Sequence, residues 1–367
     1  MLKKKASNCV PSSLELAKNK VLIAPLNWGL GHATRCIPVI RFLLENNFTP
    51  VLASDGFALE VLKQEFPELP VVVLPSYHIR YSKYAYFTKV KLLLSLPIIY
   101  KAVAQEQKII KELVSNHRFV GLISDNRFGV CHKELPSVYM THQLNVFSGL
   151  TTWLSSKLHQ RIIAKFDVCW VPDAETSKSL AGKLAIISKF KTPIVFLGNL
   201  SRLKSKKRKY KYDVLLLLSG PEPQRSIFEA KLLKEFSSFK GKVVLVRGVF
   251  NRSGLKNVSK QIKVVNYLNS FELEEFINSS KVVLARSGYS TIMDLAKLNK
   301  KAFFIPTPGQ AEQRYLARFL EQKKIAPFCK QEQFKLKLLS RIDGYSGFIE
   351  SYQSGLNPAI LDVFKID

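Results

Sequence analysis

Residues 282–326 read VVLARSGYSTIMDLAKLNKKAFFIPTPGQAEQRYLARFLEQKKIA. The run Val282–Ala285 (VVLA) is continuously apolar, as expected for a strand buried on both faces of a parallel sheet. It enters the turn Arg286-Ser287-Gly288-Tyr289-Ser290-Thr291, after which STIMDLAKLN has helical spacing. Ser287, Ser290 and Thr291 are helix-capping residue types. They gather backbone N–H groups and hydroxyls at a helix N-terminus, where the dipole favours an anion such as a diphosphate. Asp294, one turn further on, has two readings: a carboxylate accepting from ribose hydroxyls, or a complement to the helix dipole. The next strand, Ala302–Pro306 (AFFIP), ends in a polar loop that carries Gln310, Glu312 and Gln313 to the adjacent strand end.

The same strand-turn-helix unit recurs throughout the chain before this stretch. Upstream come Val214–Leu218, the turn SGPEPQR with Gly220 and Arg225, the helical SIFEAKLLKEFSSF, Lys242–Val246 followed by Arg247, Ile262–Val265 and the helix FELEEFINSS. A separate series begins with Val21–Pro25 and the Gly-rich turn NWGLGH. It runs through Thr49–Ala53, Val71–Leu74, Phe119–Ser124, Ser137–Met140, Val168–Val171 and Ile194–Leu197. Strands alternating with helices predict an α/β protein of two doubly wound, Rossmann-like domains facing a cleft. The expected limits are a tail over 1–19, an acceptor-side domain over 20–200, a basic linker over 201–212 and a nucleotide-binding domain over 213–340. A final segment over 341–367 is expected to return toward the first domain. The linker, with SRLKSKKRKYKY before Asp213, reads equally as a solvated connection and as a polyanion contact.

Bulk composition narrows the partners. The 367 residues are 47% hydrophobic with mean hydropathy +0.02, values of a chain that builds real cores. The net charge of +28 predicts attraction to nucleic acid, anionic lipid or phosphorylated substrates. The five cysteines are scattered without a CxxC pair or metal-ligand spacing, so neither a disulfide framework nor a metal site is expected. A reducing cytoplasm is the expected compartment. The basic N-terminus lacks a following apolar run, and no stretch approaches the ~18 apolar residues of a spanning helix. The segment Tyr77–Leu113 interleaves Tyr, Phe and Lys before an apolar stretch interrupted by Pro97. It reads either as an interfacial surface or as a core helix with snorkelling lysines, and Pro97 speaks against one long helix. The charge favours contact with an anionic membrane.

In the first half, Gly29 and Gly31 allow close backbone approach to a ligand at a helix start. His32, at the mouth of that turn, is placed to serve as a general base. Asp125 competes for that role, against the bland reading of a turn-forming strand-end aspartate. Arg35, Asn126, His142 and Gln143 are candidates for the acceptor side of the same cleft.

The segment 282–326 resembles the C-terminal domain of family 28 glycosyltransferases, relatives of the lipid II-forming N-acetylglucosaminyltransferase and the monogalactosyldiacylglycerol synthases. The resemblance is carried by Arg286, Gly288, Thr291, Asp294, Pro306, Pro308 and Gln313, in family order. GLGHATR, Gly29 to Arg35, is similar to that family's Gly-rich loop with its histidine, and THQLNVFSGLTTWLSSKLHQRIIAKFDVCWVP resembles a further family segment. The resemblance implies a GT-B fold and inverting, metal-independent transfer from a nucleotide diphosphate sugar, UDP-linked in the first instance. It implies that Ser287, Gly288 and Thr291 contact the diphosphate, Asp294 the ribose and Gln313 the nucleotide sugar. Gly220 would line the phosphate side, with Arg247 and Arg225 as weaker candidates. The chain departs from the pattern in Asp294 where Glu is usual, in Tyr315 and Leu316 where an Asn is usual, and in the glycine content of SGPEPQR.

Three functions follow. Transfer to a lipid-linked or other membrane-proximal acceptor by a peripheral cytoplasmic enzyme leads. Nucleotide-sugar hydrolysis or 2-epimerisation on the same fold is the alternative. Nucleic-acid binding without catalysis comes third, because no recognition motif accompanies the charge.

Overall fold

The computed structural model describes residues 18–78, 85–147, 152–175, 178–186, 190–249, 254–349 and 355–365, with backbone alone over 85–94. Most of the 1–19 tail and part of the aromatic-lysine segment therefore lie outside the described residues.

The first half alternates β1 (Lys20–Pro25), α1 (Leu30–Glu45), β2 (Thr49–Ser54), α2 (Gly56–Glu65), β3 (Val71–Val73), α3 (Ala85–Asn116), β4 (Phe119–Asp125) and β5 (Ser137–Met140). It continues with α4 (Thr152–Ile163), β6 (Val168–Val171) and β7 (Ile194–Phe196). The seven strands form a parallel sheet in the order β3-β2-β1-β4-β5-β6-β7. Their apolar runs are buried on both faces, as in VLIAP and VCWV. The order switches direction between β1 and β4, whose register pairs Pro25 with Asp125. Such a switch point opens a crevice at the carboxyl ends of the strands. It brings the Gly29–His32 turn beside Asp125.

The second half contains β8 (Tyr212–Leu217), α5 (Gln224–Phe236), β9 (Val243–Val246), β10 (Lys256–Asn257), β11 (Ile262–Val265), α6 (Ser270–Asn278), β12 (Ser280–Ala285), α7 (Tyr289–Lys297), β13 (Lys301–Phe304) and α8 (Ala311–Gln322). Its six strands run β10-β11-β9-β8-β12-β13, parallel except for the β10–β11 edge. The switch point lies between β8 and β12, so the Gly220 turn and the Arg286 turn are neighbours. The short exposed β10 has no apolar pattern and was not legible in the sequence.

The two halves share packing. One cluster joins Tyr139, Leu144 and Ile163 of the first half to Tyr289, Leu316 and Leu320 of the second. The chain end also returns to the first sheet, where the 3₁₀ helix Pro358–Phe364 seats Phe364 against Phe48 and Trp170. Gly121 is required there, because a Cβ on it would lie 2.1 Å from the Phe364 ring.

Two expectations change. The α3 helix runs unbroken through Pro97. An interior proline costs about 3 kcal/mol; beyond it, Ala102, Glu106, Ile110 and Leu113 recur at helical spacing and are buried, which holds the helix to the sheet. The basic linker is also not simply solvated. Lys206 pairs with Glu274 at 2.6 Å, and Arg208 and Lys211 pair with Glu275 at 3.3 and 3.5 Å, so α6 neutralises part of its charge.

Candidate active site

The Gly-rich turn is held from beneath. Asn27 donates to Asp55 at 3.1 Å and accepts from the Ala58 amide at 3.3 Å. Gly29, at φ 80°, N-caps α1 in a conformation that side chains other than glycine rarely adopt. That N-cap residue, a glycine, offers no side chain to the first amides of α1.

His32, in the first turn of α1, lies with Nδ1 2.9 Å from Oδ1 of Asp125. Arg35, one turn later, donates Nε to Oδ2 of Asp125 at 2.6 Å and Nη2 to its Oδ1. The Cys36 thiol adds a longer contact of 3.6 Å. Asp125 is fully buried, and both its oxygens are engaged. Burial opposes its charge, but Arg35 and His32 outweigh that and hold the carboxyl down to about 2. So low and so enclosed, Asp125 stays ionised and is held between His32 and Arg35. Nδ1 also lies 2.9 Å from Arg35 Nη2, so it faces a donor as well as the carboxylate; a proton on Nδ1 serves the ionised carboxylate and leaves Nε2 with the lone pair.

The other acceptor-side candidates divide. Asn126, at φ 60°, turns its Oδ1 back to accept from the Tyr139 hydroxyl at 2.9 Å. Gln143 contributes a backbone N–H to the Thr141 hydroxyl at 3.1 Å. His142 reaches into the other half. Its Nδ1 accepts from Arg35 Nη1 at 2.8 Å, and its Nε2 lies 2.8 Å from Glu312 of α8. Its ring stacks on Tyr289 with centroids 4.0 Å apart and planes 1° from parallel. The Tyr289 hydroxyl donates to the Pro172 carbonyl at 2.7 Å.

The N-termini of α1 and α7 meet across the cleft. The Ser290 hydroxyl donates to the Gly31 carbonyl at 2.9 Å, and a Cβ on Gly31 would stand 3.0 Å from that hydroxyl oxygen. Gly288 N-caps α7, again without a side-chain hydrogen bond. Two helix starts without an N-cap side chain thus meet beside His32, an arrangement suited to a doubly charged phosphate group. Thr291 lies at the same helix start, its hydroxyl 4.0 Å from where a Gly288 side chain would begin.

Several residues read from sequence as ligand contacts have protein partners in this structure. Arg286 is fully buried, donating to the carbonyls of Ile305, Pro306 and Gln224 and to Gln331 Oε1, with its guanidinium 3.9 Å over the Phe228 ring. Burial draws it down to about 9. It is a pin joining β12, β13 and α5. Ser287 donates to the Gln313 carbonyl at 2.7 Å, and Gln313 Oε1 accepts from the Thr307 amide at 2.8 Å, which fixes the loop before α8. Gln310 is the N-cap residue of α8. Arg247 and Arg225 both pair with Glu229, at 2.7 and 3.1 Å. Gly220 faces Thr307, whose hydroxyl is buried without a protein partner. Asp294 accepts from the Ser201 hydroxyl of the linker at 2.6 Å, and burial raises it to about 6. Among the described residues, no group of three or more His, Cys, Asp or Glu is arranged to hold a metal ion.

Residues 231–345 match the glycosyltransferase family 28 C-terminal domain. A UDP-N-acetylglucosamine--N-acetylmuramyl-(pentapeptide) pyrophosphoryl-undecaprenol N-acetylglucosamine transferase of Campylobacter hominis is 31% identical over 134 residues, 35% of this chain and 38% of that protein. An uncharacterized glycosyltransferase of Methanopyrus kandleri is 23% identical over 325 residues, 82% of this chain and 89% of that protein. The fold is that of Acinetobacter baumannii MurG, with a TM-score of 0.53, 14% identity and coverage of 90% of this chain and 92% of that one.

Proposed function

We propose that this chain, which carries a family 28 C-terminal domain within a GT-B fold, transfers a sugar from a nucleotide diphosphate, UDP in the first instance, to an acceptor hydroxyl with inversion. One observation carries the reading: a His32–Asp125 pair at 2.9 Å stands where two helix N-termini without side-chain caps converge. Nε2 of His32 takes the proton of the acceptor hydroxyl. The oxygen attacks the anomeric carbon as the bond from that carbon to the diphosphate breaks. The departing diphosphate gains charge against the amides at the starts of α1 and α7, which need no reorganisation during the step. Asp125 remains ionised and stabilises the imidazolium. Asp294, at the crevice, is the residue proposed to meet the ribose, in exchange for Ser201.

A membrane-proximal acceptor is supported by a surface on the first half. Along α4, Trp153, Leu154 and Leu158 are exposed beside Lys157, whose ammonium lies 4.2 Å over the Trp153 ring, and Arg161. On α3, Leu96, Ile98 and Tyr100 are exposed as well. Aromatic, apolar and basic side chains on one surface suit an anionic headgroup layer, and the net charge of +28 adds to the attraction. No described helix is long and apolar enough to cross a membrane.

The test is incubation with labelled nucleotide sugars, with and without lipid extract. Acceptor-dependent product is expected, lost in His32→Ala. Nucleotide release indifferent to any acceptor would replace transfer by hydrolysis. Flotation with anionic vesicles is expected at low salt and abolished in Trp153→Glu; its absence at low salt would remove the membrane clause.

A further inference from the structure

His142, which is buried, and Glu312, whose side chain is 31% exposed, bridge the two halves beside the dyad. Arg35 cannot accept a hydrogen bond, so its 2.8 Å contact fixes His142 Nδ1 as an acceptor. The remaining ring nitrogen then carries the proton and donates to Glu312 at 2.8 Å. His142 is thus neutral and held in one tautomer and one orientation by three contacts. Arg35 comes from its own half; Glu312 and the parallel Tyr289 ring come from the other. On the far side, Arg35 grips both oxygens of Asp125, which in turn holds His32.

We infer that Glu312 and His142 are positioning residues, forming a relay Glu312–His142–Arg35–Asp125–His32 that completes the geometry of the base only when the second domain is seated on the first. Burial keeps His142 below its ordinary value, and Glu312, despite its own partial burial, is held below the carboxylate range by His142, consistent with a neutral imidazole donating to a carboxylate. Each link is directional. The guanidinium fork has Nε and Nη2 on Asp125 and Nη1 on His142, with Nη2 also 2.9 Å from His32 Nδ1, so losing the outer anchor frees the guanidinium to pivot and release both the carboxylate and the imidazole from their fixed places. A general base misplaced by a fraction of an ångström loses rate without losing donor affinity. The rate consequence rests on the transfer reading above; the relay itself does not.

The experiment uses full-length protein labelled with ¹⁵N-histidine, whose six histidines give a readable imidazole spectrum. Wild type is expected to show His142 protonated at Nε2 and His32 at Nδ1. Glu312→Ala is expected to shift the resonances of His32 as well as those of His142, although His142, Arg35 and Asp125 stand between Glu312 and His32 in the relay. Glu312→Gln, which keeps an oxygen acceptor, is expected to restore them. In kinetics, Glu312→Ala and His142→Phe (stacking on Tyr289 kept, relay cut) should each lower kcat about ten- to a hundred-fold. Donor KM should stay within about two-fold, and the double variant should be no worse than the poorer single. His32 resonances unmoved by Glu312→Ala, or rate losses that multiply in the double variant, would overturn the relay. Should wild type transfer no sugar to any acceptor, the transfer reading fails while the spectra still decide the relay.

Discussion

Replacing Asp125 by Asn tests the centre of the site with almost no change of shape. The carboxylate accepts from His32 and Arg35 on Oδ1 and from Arg35 on Oδ2. An amide supplies one oxygen only, so its NH₂ must face a donor in a place closed to water. Holding the carboxyl at about 2 against an ordinary 3.8 favours its ionised form by roughly 2 kcal/mol, at ~1.4 kcal/mol per unit. Leaving the buried Arg35 cation unpaired costs more, about 3–5 kcal/mol. At ~2–4 °C per kcal/mol for a domain of this size, Tm should fall on the order of 10 °C. The sign with pH is fixed by the depressed value: the stabilisation is complete above the ordinary carboxylate value and disappears as pH falls through about 2. Wild type and variant should therefore converge in stability in strong acid. Activity should fall by roughly a thousand-fold, because His32 loses its tautomer as well as its countercharge. Thermal unfolding between pH 2 and 7, with kcat at saturating donor, measures both. His32→Ala separates the effects: it keeps the Arg35–Asp125 pair, so it should lose activity with Tm nearly intact. An Asp125→Asn protein with wild-type Tm would refute the buried-countercharge account.

Three other outcomes are expected. Asp294, raised to about 6, binds a proton more tightly folded than unfolded, so its contribution to stability is present below pH 4 and is lost as pH rises through 6; Asp294→Asn should raise Tm at pH 7.5 but not at pH 4, while weakening nucleotide binding measured by calorimetry. Phe364→Ala should cost about 3–4 kcal/mol in denaturant unfolding by emptying the seat formed with Gly121, Phe48 and Trp170, and an unchanged midpoint would show that the returning helix is dispensable. Arg286→Lys should destabilise by about 3 kcal/mol, since an ammonium cannot match the four acceptors and the Phe228 ring at once; loss of donor affinity with full stability would instead make Arg286 a ligand contact.

The same residues show how far the sequence could be read. The runs VLIAP, VCWV and VVLA announce strands because both faces of a parallel sheet are buried, and the turns after them announce helix starts through glycine and hydroxyl residues. The turn Gly29–His32 was legible because it stands at one strand end with its special residues adjacent in the chain. By contrast, Pro97 was misleading, because the tertiary burial of Ala102, Glu106, Ile110 and Leu113 outweighs a local break. Arg286 and Gln313 stood at strand ends where ligands gather, yet no local rule shows that Arg286 is tied to Ile305, Pro306, Gln224 and Gln331 or Gln313 to Thr307; only burial and the identity of the acceptors do.

The amino-acid order by itself therefore determined two sheets of mostly parallel strands, the strand ends at which ligands gather, and His32 as the nitrogen at the mouth of one crevice. Local periodicity and turn chemistry act over a few residues and need nothing else. Only the tertiary structure decided that Asp125 is buried against His32, and that His142 meets Glu312. Those partners lie 93 and 170 residues apart in the chain. A hydrogen bond depends on distance in space, and a carboxylate's role depends on what surrounds it once water is gone.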